Sequence, residues 1–422
     1  MSDEALPAMV GNDSEGFVDV LEAERDLVQG KAQLESLLNA TDALESLISH
    51  LDRNEVVTPG HKAAITVSFE NLIGNAGLTV ADIVPELEGH ENGTVSTESL
   101  KDRLKELWKR LVSAILSVLK SLRGFWSKIS TYRGRLRISA EHLAKHAAVR
   151  RYGTVRKPMI ELGLEIKSLV SGNSVMSDPD AIIRSISAAL DQYKIFTEAY
   201  GPGMLEIGKQ FERMLSEGST GSNKLNEVSN LFASMPVDQI ASKMKAMVYR
   251  DPRFGRRLTL TAPPIIGGWS LFFLTLEPEQ RSLAASNPLA YAQAVRTTGV
   301  RFAMTNVNTS SINSGSVKAA GGMQVELLAK RVIEIIDVVE AQDRAIGFGR
   351  IEAQIKNVLR AGERYQATAS SYGDSAGMDE SVLRFVRNYA GWAIGPVDQM
   401  TTNLLTVSRN LLTYGRKSLT AQ

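Results

Sequence analysis

The chain has 422 residues, 43% of them hydrophobic, with 48 Lys+Arg set against 47 Asp+Glu. That length and apolar content suffice for a sizeable core and allow two or three domains. There is no cysteine, which excludes disulfides and thiolate metal sites, and no uncharged apolar run reaches the ~18 residues expected of a membrane span.

The near-zero total charge hides a strong segregation. Residues 1–98 hold 19 acidic and 4 basic residues (Arg25, Lys31, Arg53, Lys62), a net of −15, and the remainder nets +16. Residues 99–160 alone carry 16 basic and 3 acidic residues, a net of +13. The first residues, MSDEALPAMVGNDSEG, are acidic and do not follow the basic-then-apolar pattern of a secretory signal.

In chain order, Phe17, Val20, Leu21, Leu27, Leu34, Leu37, Leu38, Leu44, Leu47 and Ile48 recur at helical spacing and predict one or two helices in the first 60 residues. Residues 56–98 are rich in turn formers, and Glu88 to Glu98 has so little apolar content that it reads as an exposed linker, where proteases cut most readily. Ser99 is the predicted cap of the next helix, with Asp102 in its first turn. Leu104, Leu107, Trp108, Leu111, Ile115, Val118, Leu119, Leu122, Phe125, Trp126 and Ile129 then form an apolar stripe. Basic residues cover the other side, giving a basic amphipathic helix of about eight turns. A second basic stretch, YRGRLRISAEHLAKHAAVRRYGTVRKP, follows it.

From Met159 the pattern reads as helix through IELGLEIKSLV and on to SEG near residue 218, then through KLNEVSNLFASM and DQIASKMKAMV. Residues 256–276, with β-branched and aromatic runs split by Pro263–Pro264 and Gly267–Gly268, predict a β-hairpin. A polar stretch, NVNTSSINSGSVKAAGG, precedes long helices at 323–345, 350–371 and 378–413. The expected fold is therefore mainly α. It has three parts: an acidic propeptide (1–98), a long basic amphipathic helical segment (99–158), and a multi-helix body with a small β-hairpin insert (159–422).

A solvated helix face explains ordinary charge runs. A net of +13 over 62 residues exceeds that case, and points to phosphate. The candidate contacts are Lys101, Arg103, Lys105, Lys109, Arg110, Lys120, Arg123, Lys128, Arg133, Arg135, Arg137, Lys145, Arg150, Arg151, Arg156 and Lys157. Nothing resembles a base-reading motif, so the binding expected is blind to sequence. Arg250 to Arg257, RDPRFGRR, is a smaller basic cluster. His142 and His146 lie one helical turn apart, but Glu141 precedes them instead of following the first, and a third ligand is missing nearby. Phosphate loops, nucleophile elbows and dinucleotide fingerprints are absent, and no cofactor is expected. Glu326, Glu334, Asp337 and Glu340 read as the wet face of a helix.

An acidic leader, a Ser/Ala/Gly-x-Glu triplet in a linker, then ESLKDRLKELWKRL and a basic helix: this layout resembles the internal head proteins of giant phages of the phiKZ type, most clearly over residues 30–150. The resemblance implies removal of the leader by a prohead protease that cuts after the Glu of such triplets. It implies assembly in the host cytoplasm and a mature protein inside the capsid beside packaged DNA, with capsid or other internal head proteins as partners. The triplet ending Ser96-Thr97-Glu98, just before Ser99, sits at the charge break. Glu91 is second, Glu70 and Glu45 are earlier candidates, and Ser139-Ala140-Glu141 falls inside a predicted helix. Two rival readings remain: a membrane-active virion protein ejected with the genome, acting through the 101–130 helix, and an enzyme with its site in the helical body.

Overall fold

The computed structural model describes residues 17–34, 37–38, 97–171, 174–217, 221–249, 258–305, 312, 314–346, 348–369 and 376–422. Two helices open it, α1 (17–34) and α2 (Thr97–Val149). α2 is far longer than the eight turns read from the stripe to Ile129, because the apolar spacing continues. Tyr132, Leu136, Ala140, Leu143 and Ala147 are all buried on the same side as Leu111 to Ile129. Gly124 and Gly134 face open space, so each costs the helix only the ~1 kcal/mol of its backbone entropy, which packing overrides. α2 starts at Thr97, two residues before the expected cap, a margin by which helix ends ordinarily vary.

Beyond α2 the chain forms β1 (Met159–Leu162), a 3-10 turn (Leu164–Leu169), β2 (Val170–Ser171) and β3 (Ser174–Val175). Here the helical reading fails. The apolar run MIEL is too short to separate strand from helix by periodicity. It pairs antiparallel with Gly315–Lys318, a strand more than 150 positions away inside the polar stretch. Next come α3 (Pro179–Ser216, capped by the Asp178 side chain), α4 (Gly221–Ala233) and α5 (Val237–Lys243). 

The predicted hairpin is real but belongs to a larger sheet. β4 (Met247–Val248), β5 (Thr259–Thr261), β6 (Trp269–Leu274) and β7 (Gly299–Met304) lie side by side in that order, all antiparallel. β6, flanked on both edges, is buried from Ser270 to Leu274. Gly267 (φ +91°) and Gly268 (φ +75°) make the turn into it, a backbone that side chains rarely adopt. α6 (Pro278–Ser286) and α7 (Pro288–Arg296) separate β6 from β7.

After β8 (Gly315–Lys318) come α8 (Gly322–Ile346), α9 (Phe348–Ala369), α10 (Ala376–Ile394) and α11 (Val397–Thr420). The helix expected over 378–413 is thus two. Gly395 adopts φ +54° and Pro396 follows it, the usual way to stop one helix and start another. α8 lies at the centre, against α2, α3 and α11. A single core cluster of buried residues runs from Phe17 in α1 to Ala421. Buried tyrosines tie it together: Tyr193 meets Thr401 at 2.9 Å, Tyr200 donates to Trp392 O, Tyr389 to Met204 O and Tyr414 to Lys318 O. Burial pushes the Tyr193 hydroxyl up to about 12, so it stays a neutral donor or acceptor.

Candidate nucleic-acid interface and the N-terminal helix

α2 presents two chemically distinct sides. Inward, it is aliphatic and aromatic. Outward, Lys109, Arg110, Lys120, Lys128, Arg135 and Lys145 are exposed, with His142 and His146 among them. Between Lys109 and Val149 the sequence has one acid, Glu141. From Lys109 to Lys145 the helix rises about 54 Å at the α-helical repeat, roughly one and a half turns of duplex DNA. 

The flanks of α2 behave differently. Arg123 donates to both oxygens of Glu352 on α9 at 2.9 and 2.7 Å. Arg133 pairs with Asp343 at 3.2 Å, Arg137 with Asp337 at 2.5 Å and with Glu340 at 3.5 Å, and Arg151 with Glu326 at 2.7 Å. As the number rises from 133 in α2 to 151 in the turn just after it, the α8 number falls from 343 to 326, so the helices are antiparallel. Arg133 is itself buried. Glu326, Asp337, Glu340 and Asp343 therefore form a charge seam toward α2 and the turn after it, Glu326 from a buried position, while Glu334 pairs with Lys194 of α3 and Arg331 of its own helix; the acids read from the sequence as a wet face are only partly so. Lys330 and Arg151 hold the Glu326 carboxyl below its ordinary range. Burial opposes ionisation of Glu352, and Lys356 and Arg123 still bring its carboxyl down. Asp337 accepts from Arg137 and raises that guanidinium.

The sixteen candidate phosphate contacts thus separate. Arg123, Arg133, Arg137 and Arg151 have their charge balanced by acids of the body. Arg150 donates to Leu419 O. Lys109, Lys120, Lys128 and Lys145 are exposed and take no part in ion pairs among the described residues, and Arg110 and Arg135 share their exposed side. Arg156 and Lys157 are exposed past the helix end, their backbone N–H groups bonded to Ala421 O. The side chains of Lys101, Arg103, Lys105 and Trp108 lie outside the described residues, as does the Arg250–Arg257 cluster.

Of the cleavage candidates, Glu45, Glu70, Glu91 and Ser96 also lie outside the described residues. Thr97, Glu98 and Ser99 form the first turn of α2. The Ser139-Ala140-Glu141 triplet is mid-helix with Ser139 and Ala140 buried.

α1, within the acidic first 98 residues, is packed into the core. Phe17 sits 5.5 Å from the Tyr132 ring, and the Arg409 guanidinium lies 4.4 Å from the Phe17 centroid. Gly30 abuts Val118 so closely that a Cβ there would stand 3.2 Å from its methyl. Residues 17 and 30 of α1 meet 132 and 118 of α2, so this pair too is antiparallel. Val20, Ala23, Leu27, Leu34 and Leu37 are buried. Lys31 donates to Asp398 Oδ1 at 2.7 Å and to Gly395 O at 3.3 Å. Burial, with the neighbouring Asp398 carboxylate, pushes Glu24 up to about 7 against the pull of Lys31. No sequence pattern signals the Lys31–Asp398 pair, because its partners are 367 positions apart.

Beside α1, a cavity of about 680 Å³ is walled by β7, α10 and the 395–399 turn. Its lining offers Lys31, Arg296, Arg301 and several amides, and no carboxylate or imidazole that would act as a general base. Among the described residues no group of three or more His, Cys, Asp or Glu is placed to hold a metal ion, and no helix is long and apolar enough to cross a membrane. The apolar stripe of α2 from Leu111 to Ile129 is already taken up by the core.

Fold and surface together describe a mainly helical protein with segregated charge. The family model for phiKZ-like phage internal head proteins matches residues 14–417, and the chain belongs to that family. The match extends well past residues 30–150, through the body to α11. Its members are structural proteins of the capsid interior. No curated protein and no solved structure matches the chain.

Proposed function

We propose that this internal head protein lies against packaged DNA through the outward face of α2, and binds phosphates without reading bases. One observation carries the reading: the exposed row Lys109, Lys120, Lys128 and Lys145, free of ion pairs among the described residues while the flanking arginines are neutralised by the body. Each phosphate contact releases condensed counterions, so log K falls by about 0.9 per contact per decade of salt. In the same reading the protein assembles in the host cytoplasm with capsid or other internal head proteins. The prohead protease then severs the acidic leader after Glu98, with Glu91, Glu70 and Glu45 as further cut positions. Severance followed by loss of the leader removes a net of −15 from a remainder of +16.

Two measurements test this. Full-length protein titrated with unrelated duplexes should show equal affinities that weaken steeply with salt; sequence preference or salt-independent binding contradicts the proposal. Protein taken from virions should have Ser99 at its N-terminus, and an intact Met1 terminus contradicts the maturation step.

A further inference from the structure

α1 meets the body as a ligand helix meets a groove. The walls are α2, through Val118 and Tyr132, the α10–α11 turn at Gly395, and α11, through Asp398 and Arg409. Both ends of α1 are anchored by specific chemistry. Phe17 is held between the Tyr132 ring and the Arg409 cation, and about 21 Å further along Lys31 reaches Asp398. Asp398 is the telling group. Its side chain is 1% exposed, and Oδ2 lacks a hydrogen-bond partner among the described residues. A carboxylate buried that deeply is strongly disfavoured unless a cation comes to it, and the cation here comes from α1.

We propose that α1 is a non-covalent ligand of the body, so that a cut in the leader leaves it docked and yields a two-piece protein. The inference rests on the reading that the leader is severed, and it alters the consequence: cleavage alone does not strip the leader's charge. α1 must also be dislodged or digested before the −15 is lost. The groove it then vacates selects an amphipathic helix with an aromatic residue at one end and a cation fourteen positions on.

The test uses the full chain with a thrombin site inserted after Gly60, nicked and passed through gel filtration at native pH. The 1–60 fragment is expected to co-elute with the body and to separate only in denaturant. Lys31→Glu should weaken retention at least tenfold, and the swap Lys31→Asp with Asp398→Lys should restore part of it. Circular dichroism of each unnicked variant confirms folding. Separate elution of the wild-type fragment overturns the proposal, as does full retention by the Lys31→Glu chain. Neither outcome depends on DNA or on where the natural protease cuts, so the maturation reading stands or falls separately.

Discussion

Arg123 on α2 donates to both carboxylate oxygens of Glu352 on α9, and Lys356 donates to Oε1 of the same carboxylate at 2.7 Å. Positive charge on α2 therefore has two destinations. Arginines on the flanks pair with acids of α8 and α9, Arg133 from a buried position and Arg123 from an exposed one, while the crest lysines Lys109, Lys120, Lys128 and Lys145 take no part in ion pairs among the described residues.

This division predicts separable phenotypes. Replacing Lys109, Lys120, Lys128 and Lys145 together with Ala should flatten the slope of log K against log salt by about 3 to 4, at ~0.9 per phosphate contact. Stability should barely change, since exposed side chains contribute little. Arg137→Ala should leave the slope where it is. Electrophoretic mobility shifts over a salt series measure both.

Asp343→Ala should destabilise the fold by roughly 3 kcal/mol, because it leaves a buried guanidinium without its counter-charge. The Arg133 side chain is 8% exposed and Asp343 27%, so the partner removed is the wetter one and the stranded charge the drier. Arg133→Met, which removes the charge and keeps the bulk, should cost much less. Urea denaturation decides between them; equal losses would mean that the pair acts only through packing.

Glu24 gives the docking of α1 a pH dependence. Its docked carboxyl is pushed up to about 7 by burial and by Asp398 against the pull of Lys31, while an undocked Glu loses its proton near its ordinary 4.5. The docked state therefore holds the proton more firmly. Between these values the free form ionises first, so docking weakens as pH rises and bears the full penalty above about 7. The nicked chain should retain its leader fragment more tightly at pH 5.5 than at pH 8, and Glu24→Gln should remove most of the difference. Glu326 and Glu352 act in the opposite sense: their lowered carboxyls stabilise the body above the ordinary carboxylate range and cease to do so as pH falls below it.

Gly208→Ala tests the packing of α3 on α10. A Cβ at 208 would overlap the Tyr389 hydroxyl, which donates to Met204 O. Overpacking of this kind costs about 1–3 kcal/mol, and the displaced hydrogen bond adds about 1. A guanidinium melt that shows no loss would mean the tyrosine can swing aside.

Much of the helical content was legible because amphipathic periodicity is a local signal. The stripe of α2, the run of α3 and the helices after residue 322 all show it. What failed was short or paired at a distance. Met159–Leu162 reads as helix until Gly315–Lys318 supplies its hydrogen bonds, and β4 and β7 become strands only beside β5 and β6. The break at Gly395–Pro396 was visible in the residues, but the apolar spacing on either side of it concealed two helices as one.

The charge segregation, the basic crest and the family resemblance belong to the sequence itself, since charge count and helical phase need no partner. Which cations find acid partners, and that residues 17–34 of the acidic N-terminal stretch form a core helix, were decided only by folding. Both depend on residues hundreds of positions apart, such as Arg123 with Glu352 and Lys31 with Asp398, being brought together by the packing of distant helices around carboxylates that are largely shielded from water.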